Sequence, residues 1–274
     1  MNEFHKENFD LRKAIHPLLF AGLECVEKTN IVYTNELNLE GYSGPLIYSP
    51  NHSNVHDFPM ICRILKEHVY VLVGNDIDNG LFNTLMLKIN GVIFVNRKDK
   101  KSCQEAKEKI IELLKNGERV VMFPEGSWNL DSVNLIHDFK WGIIDIAKKA
   151  NVPILPIGMK YNINDSCYTR FGKLIYVQKE DDLFEKKEEL HTAMSTLVWD
   201  IINSVPPKSR ATDYEEMLLS YNTYIEKCLK EFPYDIEYER SLIFNDHLYP
   251  TEIVGPTYRE NSDRIYTRKR KIGG

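Results

Sequence analysis

"LIYSPNHSNVHDFPMICRILKEH", residues 46–68, decides how the chain should fold. It opens on a short apolar run, passes through the polar, turn-like "PNHSN" (50–54), and closes on apolar residues at helical spacing from Asp57 to His68. Asp57 directly precedes Phe58 and Pro59, where a helix can start, so it is placed to N-cap that helix. The stretch therefore reads as strand, loop and helix. His52, His56 and Asp57 all fall in or beside the loop.

The same alternation extends outward. "IVYTNELNL" (31–39) alternates like a strand, and "VYVLVG" (69–74), "GVIFVN" (91–96), "RVVMF" (119–123), "ILPIGM" (154–159) and "LIYVQ" (174–178) are short apolar runs rich in Val, Ile, Phe and Tyr. Helix-length patterns lie between them at 102–117 and 139–150. Apolar strands alternating with helices predict an α/β fold whose sheet is covered on both faces. Residues 3–28 read as one or two amphipathic helices with a break at Pro17, and helical patterns recur at 183–204 and 209–231. The predicted organisation is an N-terminal helical segment (1–30), a central domain (31–205) and a helical, Tyr-rich extension (206–274).

Composition narrows the function. The chain has 274 residues, 43% hydrophobic and 27% charged, which is the balance of a globular protein rather than a disordered one. A formal charge of -5 argues against nucleic acid as a partner. The 5 cysteines form no C-x-x-C pair, which suits reduced thiols in the cytoplasm. Cys62, set among apolar helix residues, reads as a structural thiol rather than a nucleophile. No signal peptide or run of ~18 apolar residues is evident, so the expectation is a cytoplasmic protein.

Chemistry collects at strand ends. The run after Leu46 delivers His52 and Asp57, "GVIFV" delivers Arg97, and "VVMF" delivers Glu125 and Gly126. Ligands bind where parallel strands terminate, so a shared site is expected there. His52 and His56, spaced i, i+4, also leave open a metal-dependent hydrolase using His52, His56 and Asp57.

Four blocks carry a resemblance. "NHSNVHD" (51–57) resembles the N-H-x4-D block of the glycerolipid acyltransferases of the 1-acylglycerol-3-phosphate acyltransferase type. "GVIFVNR" (91–97), "FPEGSWN" (123–129) and "VPILPIG" (152–158) resemble their second, third and fourth blocks. The resemblance covers roughly residues 46–160 and implies a glycerol-3-phosphate acyltransferase-like fold, a mixed, mostly parallel sheet flanked by helices. It implies transfer of a fatty acyl group from acyl-CoA or acyl-carrier protein to a hydroxyl of a lysophosphatidic acid-like or other lipid or polar acceptor, with no cofactor and no metal. His52 would be the general base and Asp57 its orienting acid. Arg97, Glu125, Gly126, Ser127 and Trp128 would shape the acceptor pocket, and Pro153, Ile154 and Pro156 a wall near the acyl donor.

Two features depart from the family pattern. Trp128 stands where many members carry an arginine associated with the acceptor phosphate, which points to an acceptor other than simple lysophosphatidic acid. A membrane span is missing although the implied substrates are lipids. An N-terminal amphipathic helix or the basic tail Arg268 to Lys271 would supply peripheral contact with an anionic membrane at its inner face, unless the tail is only a solvated terminus. A non-catalytic lipid-binding protein is the remaining alternative.

Overall fold

Seven strands form one sheet in the computed structural model: β1 (Asn30–Tyr33), β2 (Ile47–Pro50), β3 (Tyr70–Gly74), β4 (Val92–Val95), β5 (Val120–Val121), β6 (Ile154–Asn162) and β7 (Ser166–Phe171). The helices are α1 (Asp57–Leu65), α2 (Lys100–Lys115), α3 (Gly142–Ala150) and α4 (Leu183–Ser204). The structure describes residues 14–18, 20–25, 27–74, 91–129, 135–162 and 166–204, together with 219, 223, 226 and 227. The helical pattern expected over 209–231, the rest of the C-terminal extension and the basic tail lie essentially outside them.

The sheet order is β1-β7-β6-β2-β5-β3-β4. All neighbouring pairs are parallel except β6 and β7, so the sheet is mixed and mostly parallel, as expected. Successive side chains of a strand point to opposite faces, and the core divides accordingly. Leu46, Tyr48, Val121 and Leu155 pack with Met60, Ile61 and Ile64 of α1. Ile47, Val120 and Ile154 pack instead with Ile110, Ile144, Leu190 and Met194 of α2, α3 and α4. On β6, Gly158 lets α4 approach closely, because a Cβ there would lie 2.9 Å from Leu197 Cβ.

Three expectations need correction. The run 174–178 is not a strand: it makes an isolated bridge, Ile154 to Ile175, while Ile175 and Val177 bury into the core. The strand beside β6 is the more polar "SCYTRF", whose alternate residues Cys167, Thr169 and Phe171 are buried. Pro17 lies inside the helical run 14–18 rather than at a break.

Parallel pairing of β2, β5, β3 and β4 brings their C-terminal ends to one edge of the sheet. His52, Glu125 and Arg97 follow three of these ends.

Candidate active site

Asp57 is fully buried and is the first residue of α1, not its cap; His56 holds the cap position. The expected capping role fails because the carboxylate turns back over the loop. Asp57 Oδ2 accepts from His52 Nδ1 at 2.7 Å, from Asn54 N at 2.9 Å and from Ser53 N. Ser53 Oγ donates to Oδ1 at 3.3 Å. A buried carboxylate is costly unless paired, and removing one partner of such a pair costs about 3–5 kcal/mol. Here the charge is met by four donors and by its place in the first turn of a helix.

An oxygen that gathers backbone amides is an acceptor, so the His52 proton sits on Nδ1. That fixes the tautomer and makes Nε2 the accepting nitrogen, as a general base requires. The ring is held from its faces as well. Phe123 stacks on it with centroids 4.3 Å apart, and Trp128 meets it edge-on at 6.2 Å. The main chain of the loop is anchored by Asn51, whose side-chain amide donates to Met159 O at 3.0 Å and accepts from Met159 N at 2.6 Å.

Glu125 serves the same loop through its backbone. Its Oε1 accepts from His52 N at 2.6 Å and its Oε2 from His137 N at 2.7 Å. Burial lifts its pKa to about 8; the two amide bonds pull the other way, and the nearby charge of Asp57 adds to the rise. Gly126 follows with φ +74, a left-handed turn that aims its carbonyl at Arg97, and Arg97 Nη1 donates to Gly126 O at 2.7 Å. The three strand ends therefore meet: Glu125 joins the β5 end to the β2 end, and Arg97 joins the β4 end to the β5 end.

Residues 24–160 match the family model described as Acyltransferase. The chain belongs to the acyltransferase family. It is 37% identical over 135 residues to a 1-acyl-sn-glycerol-3-phosphate acyltransferase of Borreliella burgdorferi, covering 49% of this chain and 52% of that one. To the chloroplastic 1-acyl-sn-glycerol-3-phosphate acyltransferase LPAT1 of Arabidopsis thaliana it is 27% identical over 124 residues, 44% of this chain and 33% of that one. The chain thus spans about half the length of the bacterial relative and a third of the plant one. The crystal structure of PlsC, the 1-acyl-sn-glycerophosphate (LPA) acyltransferase from Thermotoga maritima, superposes with a TM-score of 0.54 at 17% identity, over 76% of this chain and 86% of that one. That similarity supports the shared fold.

In this acyltransferase chain the remaining expected site residues divide. Ser127 and Trp128 are buried beside the His52 loop, and Trp128 forms a wall for the imidazole. Pro153, Ile154 and Pro156 are buried; Pro153 precedes β6, on which Ile154 and Pro156 pair with Ile47 and Ser49 of β2. Ile154 lies in the core under the three helices, and Pro153 lies in a cleft with Tyr42, Asn151 and Tyr176 by the start of β6. His56 turns away, its Nδ1 2.9 Å from Glu27 Oε2 on the surface. Among the described residues no group of three or more His, Cys, Asp and Glu side chains is arranged to hold a metal ion. Burial pushes the Cys62 thiol up to about 12, which keeps it protonated and a poor nucleophile.

Sequence reasoning missed Asn51 and Phe123 as parts of the site. Both lie within the quoted blocks, but their type alone signals only a turn amide and a core ring.

Proposed function

We propose that the chain is an O-acyltransferase of the 1-acylglycerol-3-phosphate type, moving a fatty acyl group from acyl-CoA or acyl-carrier protein to the free hydroxyl of a lysophosphatidic acid-like acceptor. The observation that carries the reading is the 2.7 Å contact between His52 Nδ1 and Asp57 Oδ2, inside a loop built to hold it. An alcohol is a weak nucleophile near neutrality, and a neutral imidazole is suited to take its proton during attack. His52 Nε2 removes the acceptor's proton as its oxygen bonds to the thioester carbonyl carbon. Asp57 stabilises the imidazolium that forms. The tetrahedral adduct then expels the thiolate, which receives the proton back from His52, so no acyl-enzyme forms.

Arg97 is the group we assign to the acceptor phosphate, since a guanidinium makes charge-assisted bonds to phosphate that the Trp128 indole cannot. With Trp128 in place of a second cation, acceptors lacking a terminal phosphomonoester are expected to compete. No metal is assigned a role, because His52 and His56 are committed to different carboxylates. No described helix is long and apolar enough to cross a membrane. Contact with lipid is assigned to the membrane periphery on the cytoplasmic side, as part of the same proposal.

The test is a screen with a labelled acyl thioester, in chelator, against lysophosphatidic acid, glycerol 3-phosphate and phosphate-free monoacylglycerols, scored by product mass. Acylated acceptor is expected. Release of free fatty acid alone would favour a hydrolase, and an unconsumed thioester would favour a lipid-binding protein.

A further inference from the structure

One buried polar group beside the dyad has no part in this scheme. Tyr161 lies on β6 two residues beyond Met159, the residue bracketed by the Asn51 amide. Strand alternation puts its side chain on the same face as Ile157 and Met159, the face α1 covers. Its ring packs with that core, yet its hydroxyl is fully buried and finds no hydrogen-bond partner. Buried hydroxyls are seldom left so, and each exception asks for an explanation.

The neighbouring acceptor is Asp57. Its Oδ2 is crowded with three donors, whereas Oδ1 has the single long bond from Ser53 Oγ at 3.3 Å. Asp57 is near enough to act on the Tyr161 phenol electrostatically, and its Oδ1 keeps room for a second donor. We propose that Tyr161 is a positioning residue of the dyad, its hydroxyl donating to Asp57 Oδ1 and so setting how tightly Asp57 holds the protonated His52 ring. This rests on the reading of His52 as the base. Burial first, and the Asp57 charge after it, hold the phenol well above its ordinary pKa, so it remains a donor. The other titratable groups around the pair are Cys167, opposite Tyr161 on β7, Glu27 before β1, Arg63 on α1 and Glu125 beyond β5.

The expected sign follows from electrostatics. A phenol that donates to Asp57 withdraws charge from the carboxylate and turns the positive end of its dipole toward the imidazole. Removing it strengthens the Asp57–imidazolium pair and raises the pH at which His52 loses its proton.

The experiment is an NMR titration of the His52 ring in the full chain, without substrate, for wild type, Tyr161→Phe and Tyr42→Phe, Tyr42 lying by the start of β6 with its hydroxyl on Pro45 O. Tyr161→Phe should move the His52 midpoint up by roughly half a unit, and Tyr42→Phe should leave it in place. A folded Tyr161→Phe protein with an unmoved midpoint overturns the proposal, as does an equal shift in Tyr42→Phe. If Tyr161→Phe does not fold, the coupling is read from the other side, through the Cζ resonance of Tyr161 on Asp57→Asn. Movement beyond that of a distant tyrosine supports the contact, and a still resonance overturns it. In acyl transfer Tyr161→Phe should lower kcat more than it changes KM, with the acid limb of the rate profile displaced upward by the same half unit. Wild-type protein that transfers no acyl group would count against the catalytic reading alone, since the titration needs no turnover.

Discussion

Two buried carboxylates stand at the same edge of the sheet and do different work. Asp57, the first residue of α1, binds a ring nitrogen that can carry a proton, as well as two amides and a hydroxyl. Glu125, from the loop after β5, binds backbone amides, one of them that of His52 itself. Both are hidden from solvent, so burial does not distinguish them. Their partners do. Asp57 acts on the charge of the imidazole, whereas Glu125 acts on the position of its backbone.

Replacing each carboxylate by its amide tests this contrast. Asp57→Asn keeps the shape but offers His52 the wrong hydrogen-bonding partner, and kcat should fall about 10⁴-fold with KM little changed, as loss of the orienting acid does in a serine triad. Steady-state kinetics decide it, and a loss below tenfold would remove Asp57 from the mechanism. Glu125→Gln leaves one amide acceptor in place of two. The His52 loop should shift slightly, and a small displacement of a catalytic group costs up to about 10²-fold. An effect as large as that of Asp57→Asn would show that the two carboxylates do not divide the work in this way.

The same pair differs in its response to pH. The Glu125 pKa is raised from 4.5 to about 8, so between those values the folded protein holds a proton that the unfolded chain has lost. Its contribution to stability is full below pH 4.5 and is lost as pH rises toward 8. In Glu125→Gln this part of the pH dependence should vanish, and Tm measured across that window would be flatter than in wild type. An unchanged slope would mean that Glu125 is not the group being titrated.

A smaller effect is expected at the third strand end. Arg97→Ala removes a cation from the assigned phosphate site and should raise KM for lysophosphatidic acid about ten- to hundredfold, the range of one charged hydrogen bond, with less change for acceptors lacking the phosphomonoester. An equal rise for both acceptors would place Arg97 in the framework, through its bond to Gly126 O, and not in phosphate recognition.

Much of this was legible in the sequence, for physical reasons. The buried parallel strands β2, β3 and β4 are apolar on both faces, so 46–49, 69–74 and 91–96 stand out as runs. β7 escaped because "SCYTRF" buries only alternate residues and resembles a loop, while 174–178 misled because apolar residues can enter a core without pairing. At the site, residue types located the dyad but could not orient it. Asp57 before Phe58–Pro59 is equally suited to capping a helix and to holding a histidine, and only the direction of its side chain separates the two. Glu125 was expected in the acceptor pocket because the resemblance to the glycerolipid acyltransferases implied it; its binding to amides of residues 52 and 137 depends on the tertiary fold. Tyr161 gave no signal, since a tyrosine late in an apolar strand reads as core.

The central claim is that His52 takes the proton from the acceptor hydroxyl. The most direct measurement is transfer from a labelled acyl thioester to lysophosphatidic acid by wild type and by His52→Ala, with the fold of each checked by circular dichroism. The account predicts acylated product from wild type and none above the uncatalysed background from His52→Ala. A folded His52→Ala protein that transfers acyl groups at near the wild-type rate would contradict it.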